Sequence, residues 1–143
     1  MRTSRFTLSF IIVLAVVLTA GVAAAGDFDW TRDLNIRAEA DRDGFRAQLS
    51  TRFKIGNADV EVVLGNVDSP ADAYMVLRLG EMSAKPVDYV LNQYRTGKGK
   101  GWGVLAKSLG IKPGSREFQA LKAGHDINGA TIARKNNGKN KGR

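Results

Sequence analysis

The chain has 143 residues, a formal net charge of +8 at pH 7 and no cysteine. A chain of this length forms one small domain, and it can fold on an apolar core alone. The lack of cysteine excludes a disulfide framework, a thiolate zinc site and a cysteine nucleophile.

The first 25 residues have the three-part order of a cleavable secretory signal. A short basic start, Met1–Arg5, precedes an apolar run from Phe6 to Val22, and Ala23–Ala25 then fits an A-x-A cleavage site. The alternative is an uncleaved membrane anchor, because the run is at the short edge of a spanning helix. We predict cleavage after Ala25, a periplasmic or secreted protein, and no transmembrane segment in the mature chain.

Residues 34–55 alternate between apolar and polar side chains on both sides of Asp41-Arg42-Asp43-Gly44. Period-two alternation is typical of strands with one solvated face, so this stretch predicts a β-hairpin. The apolar residues assigned to its buried face are Leu34, Ile36, Ala38, Ala40, Phe45, Ala47, Leu49, Phe53 and Ile55. A competing helix would use Phe45, Leu49 and Phe53, but it leaves Ala47 and Ile55 unexplained.

Short helices are predicted from residue 57 onward. After an Asn57 cap, the first has apolar residues at helical spacing from Val60 to Val67. Ser69-Pro70-Ala71-Asp72 combines a capping hydroxyl, a first-turn proline and an early acid, which indicates the start of a helix. That helix, running to about Met82, is apolar on most sides and is expected at the centre of the fold.

Three more helices follow, starting near Val87, Trp102 and Ser115, with Gly110 ending the second of them. The predicted fold class is therefore α+β and mostly helical, with an N-terminal β-hairpin packed on four or five short helices. The single globular domain is placed at residues 26–133, and a basic tail from Arg134 to Arg143 is predicted to be disordered because it has no apolar residue to bury.

Residues 94–103 (YRTGKGKGWG) alternate glycines with Lys98 and Lys100 ahead of a helix. Backbone amides at a helix start and two ammonium groups can hold a phosphate or carboxylate. The pattern matches neither a P-loop nor a GxGxxG turn after a strand. The alternative is a flexible loop between helices, with Trp102 filling the core.

Gly103–Leu121 resembles the two-helix core of helix-turn-helix modules through Ala106, Leu109, Gly110 and Ile111. The last three helices are accordingly predicted as a tri-helical unit of that kind. Six basic and no acidic residues lie between Asp88 and Glu117, which would suit a phosphate backbone. The turn is longer than usual, and export separates the protein from chromosomal DNA.

Few residues are suited to catalysis or to metal binding. Asp41–Gly44 partly matches a calcium loop, but Ser50 stands where a bidentate Glu is needed, so a turn is the better interpretation. His125 is the only histidine, no G-x-S-x-G motif is present, and its expected role is that of a surface or helix-capping residue. No catalytic residue, metal ligand or cofactor is predicted.

The positive charge is concentrated in the second half of the chain. Gly26–Asp88 has 8 basic and 12 acidic residues, a net −4, whereas Tyr89–Arg143 has 12 basic and 2 acidic residues, a net +10. The predicted partner-binding residues are Lys98, Lys100, Trp102, Lys107, Lys112 and Arg116.

Three segments resemble small exported proteins of Gram-negative bacteria that have no assigned function. They are SPADAYMVLRL (Ser69–Leu79), GKGWGVLAKSLGIKPGS (Gly99–Ser115) and EFQALK (Glu117–Lys122), under half of the mature chain. The resemblance implies a periplasmic or secreted helical protein and transfers no catalytic or binding residue.

These observations predict a non-enzymatic binding module of the cell envelope whose basic half contacts an anionic partner. Lipopolysaccharide, anionic lipid or an acidic protein would each fit. Two alternatives remain open, a hydrolase of envelope polymer that uses a pair of carboxylates and a nucleic-acid-binding protein.

Overall fold

A computed structural model describes residues 26–127, and all regular secondary structure in this range is helical. The helices are α1 (Trp30–Ala40), α2 (Arg42–Phe53), α3 (Asn57–Leu64), α4 (Pro70–Ser83), α5 (Val87–Thr96), α6 (Trp102–Ser108) and α7 (Arg116–Ala123). The predicted signal peptide, the end of the predicted domain and the predicted tail lie outside the described residues. Between residues 26 and 127, no helix combines the length and the apolar character needed to cross a membrane.

The predicted β-hairpin is wrong, and with it the α+β fold class, because helices α1 and α2 occupy residues 30–53. Burial follows the helical period: Leu34 and Ala38 are buried four residues apart in α1, as are Phe45 and Leu49 in α2. Ile36, which the strand pattern placed on the buried face, has 61% of its surface exposed. Ala40 and Ala47 are also exposed.

The prediction failed because positions four apart share a face in both kinds of structure. Leu34, Ala38, Phe45 and Leu49 satisfy period two and period 3.6 equally well, and only the smaller or isolated apolar residues between them favoured a strand. The arginines and acids that alternate with them suit the outer face of an amphipathic helix as well as the solvated face of a strand.

Asp41 joins α1 to α2 as a single non-helical residue. Its backbone N–H donates to the Arg37 carbonyl at 3.1 Å, and its side-chain Oδ1 accepts from the Gly44 N–H at 2.9 Å. The carboxylate therefore caps α2, in the role that Asp often has at a helix N-terminus. The stretch Asp41–Gly44 is thus a helix start and not the predicted hairpin turn.

Helix α4 begins and lies where the sequence predicts. The Ser69 hydroxyl accepts from the Asp72 N–H at 3.3 Å, Pro70 occupies the first turn, and Asn35 of α1 adds a cap by accepting from the Ala71 N–H at 2.7 Å. Eight of its 14 residues are buried. Helices α1, α3 and α5 all pack on α4, which places it at the centre of the core.

Helices α5, α6 and α7 are present near their predicted positions. Side-chain contacts join them, because Trp102 of α6 stacks on Tyr94 of α5 and Phe118 of α7 lies against Gly103 of α6. Seven residues separate α6 from α7, with Gly110 at φ 88° just after α6, so the connection is longer than a helix-turn-helix turn.

Candidate anion-binding surface

The predicted partner-binding residues fall into three groups in the structure. Lys98 is held in an ion pair, Trp102 is half-buried in an aromatic stack, and the other four are exposed basic side chains. The exposed four are Lys100, Lys107, Lys112 and Arg116.

Lys98 is neutralised by an acid from the other half of the chain. Its ammonium lies 2.8 Å from Asp68 Oδ2, and this contact holds the pKa of the Asp68 carboxyl below its ordinary value. The Tyr94 hydroxyl lies beside the same loop, accepting from the Asp68 N–H at 3.2 Å and donating to Asp72 Oδ2 at 2.8 Å. Burial raises the pKa of Tyr94, and the nearby carboxylates raise it further. Lys98 therefore attaches the connection between α5 and α6, residues 97–101 (the glycine-rich loop), to Asp68.

Trp102 stacks on Tyr94, with ring centroids 5.6 Å apart and planes at 22°. This places the first residue of α6 against α5, so the end of the glycine-rich loop lies close to the helix that precedes it. The contact matches the alternative interpretation, in which Trp102 packs into the structure and Lys98–Gly101 is a connecting loop. Gly99 and Gly101 adopt φ values of +84° and +86°, which side chains other than glycine rarely do.

The remaining basic residues have no ion pair with any other residue between 26 and 127. Lys100 precedes α6, Lys107 lies in its last turn, Lys112 is in the α6–α7 connection and Arg116 begins α7. All four lie within 17 residues of sequence that contain no acid. These four charges therefore face solvent.

Two clefts border this half of the surface. One, of about 470 Å³, lies between the end of α3 and the end of α5, where Arg95, Lys98 and Asp68 face it. The other, of about 280 Å³, lies beside the α6–α7 connection and contains Lys112 and Glu117. One carboxylate lines each cleft, Asp68 in the first and Glu117 in the second.

Sequence reasoning missed an ionic cluster that binds the segment after α7 to the core helices. The Arg52 guanidinium donates to both Glu81 oxygens at 3.0 Å and to Asp126 Oδ2 at 2.8 Å. Burial would raise the pKa of Asp126, but hydrogen bonds from Arg52 and Tyr74 outweigh it, and the pKa is lowered. Hydrogen bonds from Arg52 likewise hold the pKa of Glu81 below its ordinary value.

His125 lies in an aromatic cluster next to this ionic cluster. Its ring is 5.8 Å from the Trp30 ring and 6.2 Å from that of Tyr74, and its buried Nδ1 has no hydrogen-bond partner among residues 26–127. Burial lowers the pKa of His125 and the positive charge of Arg37 lowers it further, while Asp126 opposes the change. His125 is therefore a half-buried packing residue at the margin of the core, where the sequence suggested a surface or helix-capping residue.

The ionic cluster could not be found from the sequence, because its members come from distant segments. Glu81 lies 29 residues after Arg52 in the sequence, and Asp126 lies 74 residues after it. Between residues 26 and 127, no three or more His, Cys, Asp or Glu side chains are grouped so that they could hold a metal ion.

Comparison of the chain with protein-family models, with curated proteins and with solved structures found no match.

Proposed function

We propose that the protein is an exported binding module of the cell envelope, which contacts an anionic partner through the four exposed basic residues around α6. The observation that carries the proposal is that these four residues make no ion pair between residues 26 and 127 and lie in a stretch, residues 100–116, that contains no acid. Elsewhere in the same half, Lys98 and Lys122 are each paired with an acid of the other half, Asp68 and Asp27. Exposed basic residues without an ion pair also occur in the first half, but acidic residues lie among them there.

Such a surface favours diffuse electrostatic recognition. Exposed ammonium groups in water attract a polyanion mainly by releasing its bound counterions, so affinity falls steeply as salt rises. The predicted basic tail, Arg134–Arg143, adds five further positive charges to the same half. Partners of this chemistry in the envelope include phosphate-bearing lipids and acidic polymers.

The test is a binding titration against dextran sulfate across a salt series. It uses the protein as it is recovered after expression and export, without further truncation. Mass spectrometry of the recovered chain fixes its N-terminus and so tests cleavage after Ala25. A variant carrying Lys100→Gln, Lys107→Gln, Lys112→Gln and Arg116→Gln is expected to lose most of the affinity at about 150 mM salt and to flatten the salt slope.

The matched control removes the same number of charges elsewhere. Arg32→Gln, Arg42→Gln, Lys54→Gln and Lys85→Gln change four exposed basic residues that make no ion pair between residues 26 and 127. If both quadruple variants lose the same affinity, only net charge matters and the proposed surface is wrong. A variant ending at Ala133 separates the contribution of the tail.

A further inference from the structure

An exposed apolar side chain stands among the unpaired charges of α6. Val104 has 52% of its surface exposed, although its neighbours Leu105 and Ala106 are buried. Lys107, one turn further along the helix, shares its face, and Lys100 lies four residues before it, ahead of the helix start. The outer face of α6 therefore presents a valine and the Lys107 ammonium, with Lys100 in the segment just before the helix.

The neighbouring helix extends this face with a second apolar group. Phe118 of α7 is half-buried, and a Cβ at Gly103 would lie 3.8 Å from its ring. The Lys122 ammonium lies 5.8 Å from the centre of the same ring. The N-terminal part of α6 and the middle of α7 are thus in contact through Gly103 and Phe118, next to Lys122, whose ammonium is also paired with Asp27.

We propose that this α6 face, defined by Lys100, Val104 and Lys107, docks on the surface of an anionic phospholipid bilayer. The inference rests on the proposed function and names the partner class. At such a surface, lysines reach the phosphate layer while a short apolar side chain enters the boundary between headgroups and acyl chains. A soluble polyanion offers the phosphate or sulfate charges but no apolar layer for Val104.

The chain supplies its own control for the valine. Val62 of α3 is 55% exposed, nearly the same fraction as Val104, but Asp59 lies one turn before it and Glu61 beside it. The two valines differ mainly in the charge around them. An anionic surface attracts the face that carries Val104 and repels the face that carries Val62.

The experiment measures partitioning of the full chain into vesicles of phosphatidylglycerol and phosphatidylcholine, with pure phosphatidylcholine vesicles and dextran sulfate in parallel. Lys100→Gln and Lys107→Gln are each expected to weaken binding to the anionic vesicles about fivefold. Val104→Ser is expected to weaken it by a further factor of about five, because the exposed half of the valine no longer enters an apolar layer. Circular dichroism confirms that each variant stays folded.

Val104→Ser should leave the affinity for dextran sulfate within about twofold of that of the original chain. Val62→Ser should leave binding to the anionic vesicles and binding to dextran sulfate unchanged. Equal losses from the two valine substitutions overturn the docking face, as does a Val104→Ser loss that is the same on vesicles and on dextran sulfate. Binding to dextran sulfate without binding to anionic vesicles overturns the lipid inference and leaves the proposed function standing. Binding to neither overturns both.

Discussion

The Arg52 cluster offers a direct test of how the end of the folded chain is held. Arg52→Met keeps an unbranched apolar side chain but removes the guanidinium, which connects α2 to Glu81 and Asp126 and lies 4.9 Å from the centre of the Phe53 ring. Two carboxylates are then left with Arg78 as their remaining charged partner. Both consequences destabilise the fold.

The expected loss follows from the exposure of the groups. Hydrogen bonds to charged groups are each worth about 1.5–3 kcal/mol, and three connect Arg52 to its partners. The Glu81 and Asp126 side chains are 44% exposed, so solvent screens much of this. We expect the free energy of unfolding to fall by about 2 kcal/mol, which lowers Tm by roughly 10 °C in a domain of this size.

Urea denaturation of the full chain measures this loss. The control is Arg46→Met, which breaks the ion pair between Arg46 and Glu61. The Arg46 side chain is 44% exposed and the Glu61 side chain 50%, so the free energy of unfolding should fall by about 0.5 kcal/mol or less. A double-mutant cycle of Arg52→Met with Asp126→Asn should give a coupling energy of about 1 kcal/mol. A coupling energy near zero, or equal losses from Arg52→Met and Arg46→Met, would refute the reasoning.

Three further predictions concern caps, pH and the exposed face of α1. Ser69→Ala should cost about 1 kcal/mol of stability in calorimetry, because the Asp72 N–H loses its side-chain acceptor and keeps only the Ser69 carbonyl at 3.0 Å. Because the pKa of His125 is lowered in the folded protein, its contribution to the free energy of unfolding is fully present above the ordinary pKa of 6.5 and decreases as the pH falls below that value. Denaturation curves at pH 5–7 measure this dependence, and His125→Gln should abolish it. Ile36→Ser should change the free energy of unfolding by less than about 0.5 kcal/mol, whereas a loss of about 2 kcal/mol would indicate that Ile36 is buried, as the strand interpretation required.

The elements that the sequence predicts well are those with a local chemical cause. Ser69 and Pro70 define the start of α4 within a few residues of chain, and Gly110 marks the end of α6 through its own backbone conformation. Residues 34–53 lack such a local signal, apart from Asp41, whose capping role can equally be read as a turn. Their apolar spacing fits two periods, and only packing against α4 decides between them.

The candidate surface could be predicted in part. Exposure of Lys100, Lys107, Lys112 and Arg116 follows from their charge, because unpaired ammonium and guanidinium groups stay in water. The pairing of Lys98 with Asp68 could not be inferred, since it depends on how α5 lies against the loop before α4. Val104 escaped notice because an apolar residue beside Leu105 and Ala106 is normally counted as part of the core.

The central position of α4 means that the seven helices between residues 26 and 127 belong to one folding unit. The helices before α4 and those after it share one hydrophobic core with it. Helices as short as α6 and α7, of seven and eight residues, are unstable in isolation. A peptide that spans only these two would therefore carry the charges of the surface without its shape, and a single cut next to α4 should unfold both ends of the molecule together.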